Sequence, residues 1–295
     1  MELTCLRSFR EVAICGSYTK AAEQLGYAQS SVTAQIQKLE EAYGAVLLER
    51  RGRSMGLTDA GEKLLVYSNE ILRLHAESLE AVSSASGGSL SIGSIETLAS
   101  FFLPSYMQAF RSSHPQASMT LLPGNEPELI REVKAGTLDA AFILDPPFRD
   151  SDLVVTMLRE EQLVLVCPAE HRLADLCLAS VSDLAGESLV LTENGCTYRA
   201  HLLRRLKETG TEARISCELG SIEAIKQCVQ RGLGIALLPA IAVQKEVEAG
   251  QLAVVKLEDE SFQFFIQLVY NRKRWLSPGF RSFLESFGIR EATGS

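Results

Sequence analysis

The chain has 295 residues, 46% of them hydrophobic and 22% charged, with a formal net charge of −8. That length supports about two domains, each able to bury its own core, and the composition is ordinary for a globular protein. No apolar run approaches the roughly 18 to 20 residues of a membrane-spanning helix, so no membrane partner is expected.

The opening MELTCLRSFREV lacks the basic-then-apolar design of a secretory leader, which predicts that the chain stays in the cytoplasm. Seven cysteines, at 5, 15, 167, 177, 196, 217 and 228, form no Cys-x-x-Cys pair and have no histidine at zinc-ligand spacing. They read as reduced thiols, with Cys15, Cys167 and Cys228 in apolar contexts that suit small buried hydrophobes. No metal or cofactor is expected.

In chain order, residues 1 to 15 place Leu3, Leu6, Phe9, Val12 and Ala13 on one face of a bracing helix. Ser17 to Glu41 reads as two short helices joined by a tight turn. The first has Ser17 or Thr19 as N-cap, Ala21, Ala22 and Leu25 as its apolar side, and Gly26 as a left-handed stop. In the second, Val32, Ile36, Leu39 and Tyr43 form one stripe facing a core. The opposite face carries Ser30, Ala34, Gln37 and Lys38, flanked by Gln29, Ser31, Thr33 and Gln35. Gln can pair with adenine, Ser and Thr with donor or acceptor edges, and Ala with a thymine methyl, so this face suits the reading of base edges. The competing reading is an ordinary helical hairpin with a solvated side. In favour of a DNA reader, ERRGRSMGLT follows at Glu49 to Thr58, with Arg50, Arg51 and Arg53 around Gly52 as a phosphate-gripping wing.

Asp59 to Ser84 is the next helical stretch, with Thr58 as its N-cap and Leu65, Leu72 and Leu79 at seven-residue spacing. That repeat reads as the seam of paired helices, against a helix lying on its own domain. Ala81 to Ser89 is small, polar and glycine-bearing, a domain boundary. Beyond it, strand candidates at 90–95, 119–122, 140–144, 163–167, 189–192, 235–239 and 264–270 alternate with helical runs at 128–135, 198–208 and 222–230. Alternation of this kind predicts an α/β fold with mainly parallel sheets, its ligands beyond the carboxyl ends of strands. The tail EATGS is expected to fray.

The net charge is unevenly spread. Residues 1 to 58 hold seven Lys/Arg and six Asp/Glu, a balance of +1 that leaves −9 for the rest. A local basic patch can still bind DNA, and oligomerisation would multiply its phosphate contacts.

These stretches, MELTCLRSF, GSYTKAAEQL, AQSSVTAQIQKLEEAYG, LLERRGR and LTDAGE, resemble the LysR-type family of bacterial transcriptional regulators almost continuously, and the remainder resembles that family's effector-binding part more loosely. The resemblance implies a multidomain chain. Residues 1–58 would be an all-α winged helix-turn-helix DNA-binding domain, with its motif at about 18–37, and 59–89 a dimerising linker helix and hinge. Residues 90–295 would be a two-lobed α/β domain like a periplasmic solute-binding protein, with lobe I at about 90–164 and 266–290 and lobe II at about 165–265. It further implies DNA contacts at Gln29, Ser30, Ser31, Thr33, Ala34, Gln35, Lys38, Arg51 and Arg53. Implied partners are promoter or operator DNA, a second copy or a tetramer, a small-molecule effector and RNA polymerase. Two positions depart from the family: Ser30 stands where proline is frequent, and Ala34 where arginine is frequent.

The effector cleft implied by the family lies at Ser94 to Thr97, Gly124 to Glu126, Asn194 to Arg199 and Gly220 to Ser221. Glu96 and Glu126 stand where small or neutral residues are common and oppose an anion, unless Arg199 neutralises one or both point to solvent or cap helices. The expectation is a small polar effector, an amine among the candidates, contacted by Thr97, Glu126, Cys196, Thr197, Arg199 and Ser221.

Three other functions were weighed. An enzyme lacks support: Gly232-Leu-Gly234 is half a dinucleotide fingerprint with Leu237 in place of the third glycine, no nucleophile elbow or phosphate loop occurs, and the four histidines are scattered. A solute-binding module for transport leaves the first eighty residues without a job. A thiol redox sensor rests on Cys196, just before a helix that can lower its pKa with help from Arg199. Peroxide-sensing family members carry a second cysteine nine residues on, where this chain has Arg205.

Overall fold

A computed structural model describes residues 3–52, 54–82 and 89–289. Arg53, the centre of the expected boundary at 81–89 and the EATGS tail lie outside the described residues. The chain divides into two compact units, Met1–Ser86 with Ala135–Thr137, and Gly87–Lys134 with Leu138–Ser295.

The first unit is built on α1 (Leu3–Cys15), α2 (Tyr18–Leu25), α3 (Gln29–Tyr43), a hairpin of β1 (Leu48–Arg51) and β2 (Ser54–Leu57), and α4 (Asp59–Val82). Leu6, Phe9 and Val12 of α1 pack with Ala21 and Ala22 of α2, Val32, Ile36 and Leu39 of α3, and Leu64 and Leu72 of α4. Each buried aliphatic side chain in such a core contributes about 1.5 to 3 kcal/mol. Ser17, not Thr19, caps α2, accepting from the Lys20 amide at 3.4 Å, and Gly26 closes the helix at φ 69°. Its left-handed backbone turns the chain sharply into α3.

Two expectations are corrected here. Tyr43 does not belong to the core stripe, because α3 runs one turn past Leu39 and leaves the ring 45% exposed. Leu72 does not lie on an open seam, since it is buried with Leu64 in the unit's own core. The exposed apolar side of α4 is formed instead by Val66, Tyr67 and Leu74, with Leu79 also exposed. Thr58 caps this helix as expected, accepting from the Gly61 amide at 3.0 Å while donating to the Val46 carbonyl at 2.7 Å.

In the second unit β3 (Ser89–Ser94), α5 (Glu96–Phe101), α6 (Leu103–Ser113), β4 (Ser118–Pro123), α7 (Glu126–Ala135) and β5 (Ala140–Asp145) make a parallel three-stranded start. Then β6 (Leu153–Cys167) runs through both halves. It pairs antiparallel with β12 (Gln263–Asn271) over Leu153 to Gln162, and with β10 (Ala236–Pro239) and β11 (Ala253–Leu257) over Leu163 to Cys167. The second half adds β7 (Leu178–Ala179), β8 (Ser188–Thr192), α8 (Thr197–Thr209), β9 (Arg214–Leu219), α9 (Ile222–Gln230) and α10 (Gln244–Glu248), and α11 (Pro278–Glu285) packs against the first half.

The expectation of mainly parallel sheets is corrected. Parallel pairs flank each half, whereas β5–β12, β12–β6, β6–β10 and β6–β11 are antiparallel. The cause is the route: one strand leaves the first half and another returns beside it, and neighbours running out and back are antiparallel. Gly232, at φ 75°, follows α9 directly and forms the expected helix-end turn rather than a nucleotide loop.

Candidate functional site

In the first unit, α3 presents Gln29, Ser30, Ser31, Ala34, Gln37 and Lys38 to solvent at and beyond its N-terminus. Its buried stripe of Val32, Ile36 and Leu39 fixes that orientation. Three of the predicted readers have internal bonds. The Thr19 hydroxyl donates to Gln29 Oε1 at 3.1 Å, tying α2 to the start of α3. The Thr33 hydroxyl donates to the Gln29 carbonyl at 3.0 Å. Gln35 is half-buried, and its Oε1 accepts from the hydroxyl of fully buried Ser8 at 2.5 Å.

The expected cationic turn is a β-hairpin, held to the helices where the Met55 amide donates to the Gly16 carbonyl at 2.8 Å. Arg51 is exposed and bridges its own hairpin, with Nε 2.8 Å from Glu49 and a second nitrogen donating to the Leu57 carbonyl at 2.8 Å. Held this way, its guanidinium keeps a fixed position from which unused N–H groups can meet a phosphate.

In the second unit a cleft lies between the two halves, at the carboxyl ends of β3, β4 and β8. Its cavity is about 20 Å³, and Glu96, Thr97, Glu126, Cys196, Tyr198 and Ile222 are among its walls. Polar bonds cross it. Glu96 Oε2 accepts from the Ile222 amide at 2.9 Å, so a residue at the start of α5 caps α9 of the other half. The Thr197 hydroxyl donates to the Leu144 carbonyl at 2.9 Å and stands 3.2 Å from Glu126 Oε1. Glu126 is 2% exposed, and desolvation, with Asp145 nearby, pushes its carboxyl up to about 8. At neutral pH it is therefore a proton carrier whose O–H can face the Thr197 oxygen, since the single Thr197 proton goes to Leu144.

Of the six expected effector contacts, the structure brings together Thr97, Glu126, Cys196 and Thr197. Ser221 serves as N-cap of α9, accepting from the Ala224 amide at 3.5 Å. Arg199 turns away from the cleft to Glu218 at 2.7 Å and the Thr192 carbonyl at 2.8 Å, so it neutralises neither cleft glutamate. Thr192 and Glu193 are among the wall residues that were missed, and Asp145, at the end of β5, has its carboxyl raised to about 6 by desolvation and raises that of Glu126. Their signal in the sequence was position alone, since each ends or follows an apolar strand.

Cys196 is 6% exposed and caps α8, yet burial and the Glu126 carboxyl push its thiol up to about 12, outweighing any help from the helix end. Arg205, where a partner cysteine would stand, binds Asp259 at 2.7 Å and Glu208 at 2.6 Å. A thiolate at this site is disfavoured, and a reactive thiol needs one. Cys15 is also corrected: it is not a buried hydrophobe but a partly exposed thiol 3.1 Å from Gln24 Oε1.

Residues 3–62 match the model for bacterial regulatory helix-turn-helix proteins of the lysR family, and residues 83–289 match the LysR substrate binding domain. The chain belongs to the LysR family. It is 34% identical over 288 residues to the uncharacterized HTH-type transcriptional regulator YwqM of Bacillus subtilis, covering 97% of this chain and 98% of that one. A full-length OxyR variant from Pseudomonas aeruginosa shares its fold at a TM-score of 0.75 and 23% identity, covering 98% and 95% of the two chains. The full-length LysR-family regulator CbnR, solved with its target DNA, aligns at a TM-score of 0.64 and 25% identity over 98% of this chain and 99% of that one.

This LysR-family chain is thus a transcriptional regulator with an N-terminal helix-turn-helix and a two-lobed α/β effector domain. Among its described residues no helix is long and apolar enough to cross a membrane.

Proposed function

We propose that this LysR-type regulator acts in the cytoplasm as a DNA-bound dimer or higher oligomer, and serves as a regulator rather than an enzyme. In this reading residues 1–58 bind DNA, 59–89 join two copies, and 90–295 bind a small effector. Gln29, Ser30, Ser31, Thr33, Ala34, Gln35 and Lys38 meet the groove, while Arg51 and Arg53 hold phosphates. The observation that carries the proposal is the outward polar face of α3 beside an arginine-bearing hairpin. Val66, Tyr67 and Leu74 give α4 an exposed apolar side suited to a second copy. Two copies on a two-fold axis require a roughly palindromic site.

The effector lies in the cleft against Thr97, Glu126, Cys196 and Thr197, with Ser221 and Arg199 acting through the elements they brace. It controls transcription, with RNA polymerase as the downstream partner, by favouring one of two DNA-bound states. A ligand with equal affinity for both would shift nothing. Binding to the gene's own upstream region, competed with random duplex at matched salt, tests the proposal. At least about a thousand-fold preference is expected for a specific regulator, and equal affinities would reject it.

A further inference from the structure

The lining of the effector-domain cleft is acidic. Glu96, Glu126 and Glu193 line it, and among its lining residues there is no Lys or Arg. Asp145 adds a fourth carboxyl, close enough to push the Glu126 carboxyl upward. The neighbouring cations are already engaged: Arg199 with Glu218, and Lys226 with Glu223 at 2.8 Å and Glu246 at 2.7 Å. Burying carboxyls together without a partner costs stability, and a fold has no packing reason to retain the arrangement.

A second observation points to a missing donor. Thr192 is 5% exposed and lines the same cleft, yet its hydroxyl has no hydrogen-bond partner among the described residues. The Cys196 thiol beside it is at most a weak one. The cleft thus offers carboxylate and hydroxyl oxygens as acceptors and lacks a cation to satisfy them. An ammonium group is the complement, with three donors, a positive charge and no acceptor. A bare metal ion fits less well, because the described residues hold no group of three or more metal-ligating side chains. The cavity of about 20 Å³ is water-sized, which suits an ammonium head rather than a larger polar group.

We propose, on the reading that the effector occupies this cleft, that it is a small amine whose ammonium group sits against Glu126 and Glu193, with the Thr192 hydroxyl as a third acceptor. Binding exchanges one cation for another: the ammonium enters and the proton of Glu126 leaves to solvent, with charge conserved. Affinity therefore rises with pH while Glu126 titrates.

The other groups facing Glu126 do not reverse that sign. Asp145 at the end of β5 and Glu193 after β8 are carboxyls, which also favour a cation. Glu96 on α5 is raised by burial and tied to the Ile222 amide, with Lys226 charged beside it throughout. Cys196 and Tyr198 at the start of α8 are raised to about 12 and well above 10, and stay neutral.

Isothermal titration of the full chain at pH 6, 7 and 8 tests this, with ethanolamine and 1,3-diaminopropane as amines and succinate and lactate as anions. Buffers of different ionisation enthalpy count the released proton. The expected result is amine binding that tightens at least about ten-fold from pH 6 to 8, with proton release. Glu126→Gln should weaken it at least ten-fold at pH 8 and flatten the pH profile, and Glu193→Gln should weaken it as well. No heat from either amine at 10 mM, or anion binding that tightens as pH falls, would overturn the amine assignment. If the anions bind, and Thr97→Val abolishes that binding with operator affinity intact, the cleft remains the effector site and only the amine class fails. Binding of either class that is indifferent to all three substitutions would place the ligand elsewhere and overturn both.

Discussion

Glu126→Gln isolates the cost of the buried carboxyl. The amide keeps the shape and an N–H that can face the Thr197 oxygen but cannot ionise. In the folded chain the Glu126 carboxyl is raised from 4.5 to about 8. A raised pKa means that the folded state holds the proton more tightly than the unfolded one. The group's contribution is thus fully present below about pH 4.5 and is lost as pH rises through about 8. At 1.36 kcal/mol per pKa unit the full loss is roughly 5 kcal/mol, and local opening of the cleft to water reduces it to about 2 to 3 kcal/mol. For a unit of this size that is a melting shift of roughly 5 to 10 °C. Calorimetric scans of the full chain from pH 5 to 8.5 should show the variant and wild type melting together at pH 5, with the variant's effector transition progressively higher toward pH 8.5. Asp145, raised to about 6, adds a loss common to both chains at lower pH. Parallel curves across the whole range would refute the assignment of a buried, protonated carboxyl at neutral pH.

Gly61→Ala should destabilise the first unit by about 2 kcal/mol or more, because an added Cβ would lie 2.1 Å from the Leu47 carbonyl oxygen. The helix-propensity gain of about 1 kcal/mol is smaller than the cost of moving that backbone, and a melting point equal to or above wild type would show the contact to be looser. Leu74→Asp and Leu72→Asp should separate assembly from folding. The first puts a charge on the exposed side of α4 and should yield folded monomers by light scattering. The second buries a charge beside Leu64 and should unfold the unit by circular dichroism. A folded dimer from Leu74→Asp would remove α4's exposed side from the interface.

The first unit was legible because its signals are local and redundant. Val32, Ile36 and Leu39 recur at the helical period, and Ser17, Gly26 and Thr58 mark the helix ends by their own chemistry. The effector unit was most legible where strands are buried on both faces, as in Ala140 to Leu144. The continuity of β6 escaped because Arg159, Glu160 and Glu161 separate the apolar Leu153 to Leu158 from Leu163 to Cys167, although the pairing with β12 continues through them. β9 carries an apolar alternation, Ile215, Cys217 and Leu219 against Arg214, Ser216 and Glu218, but it is short and only half-buried, so it went unread. Side-chain direction was the harder limit. Arg199 and Gln35 sit at their expected positions on their helices, and what turns them inward is Glu218 and the Thr192 carbonyl for one and Ser8 for the other, groups remote in sequence. For the same reason Thr192 and Glu193 became cleft residues only once the end of β8 was set beside those of β3 and β4.

The most direct test of the central claim is base-pair-resolved binding of the full chain to its operator, with Gln29→Ala and Arg51→Ala compared across a library of single base-pair changes and a salt series. A groove-reading α3 and a phosphate-holding hairpin predict that Gln29→Ala loses about 1 to 3 kcal/mol at particular base pairs only. Arg51→Ala should weaken every sequence alike and lower the salt slope by about one. Uniform loss from Gln29→Ala together with an unchanged salt slope from Arg51→Ala would contradict the account.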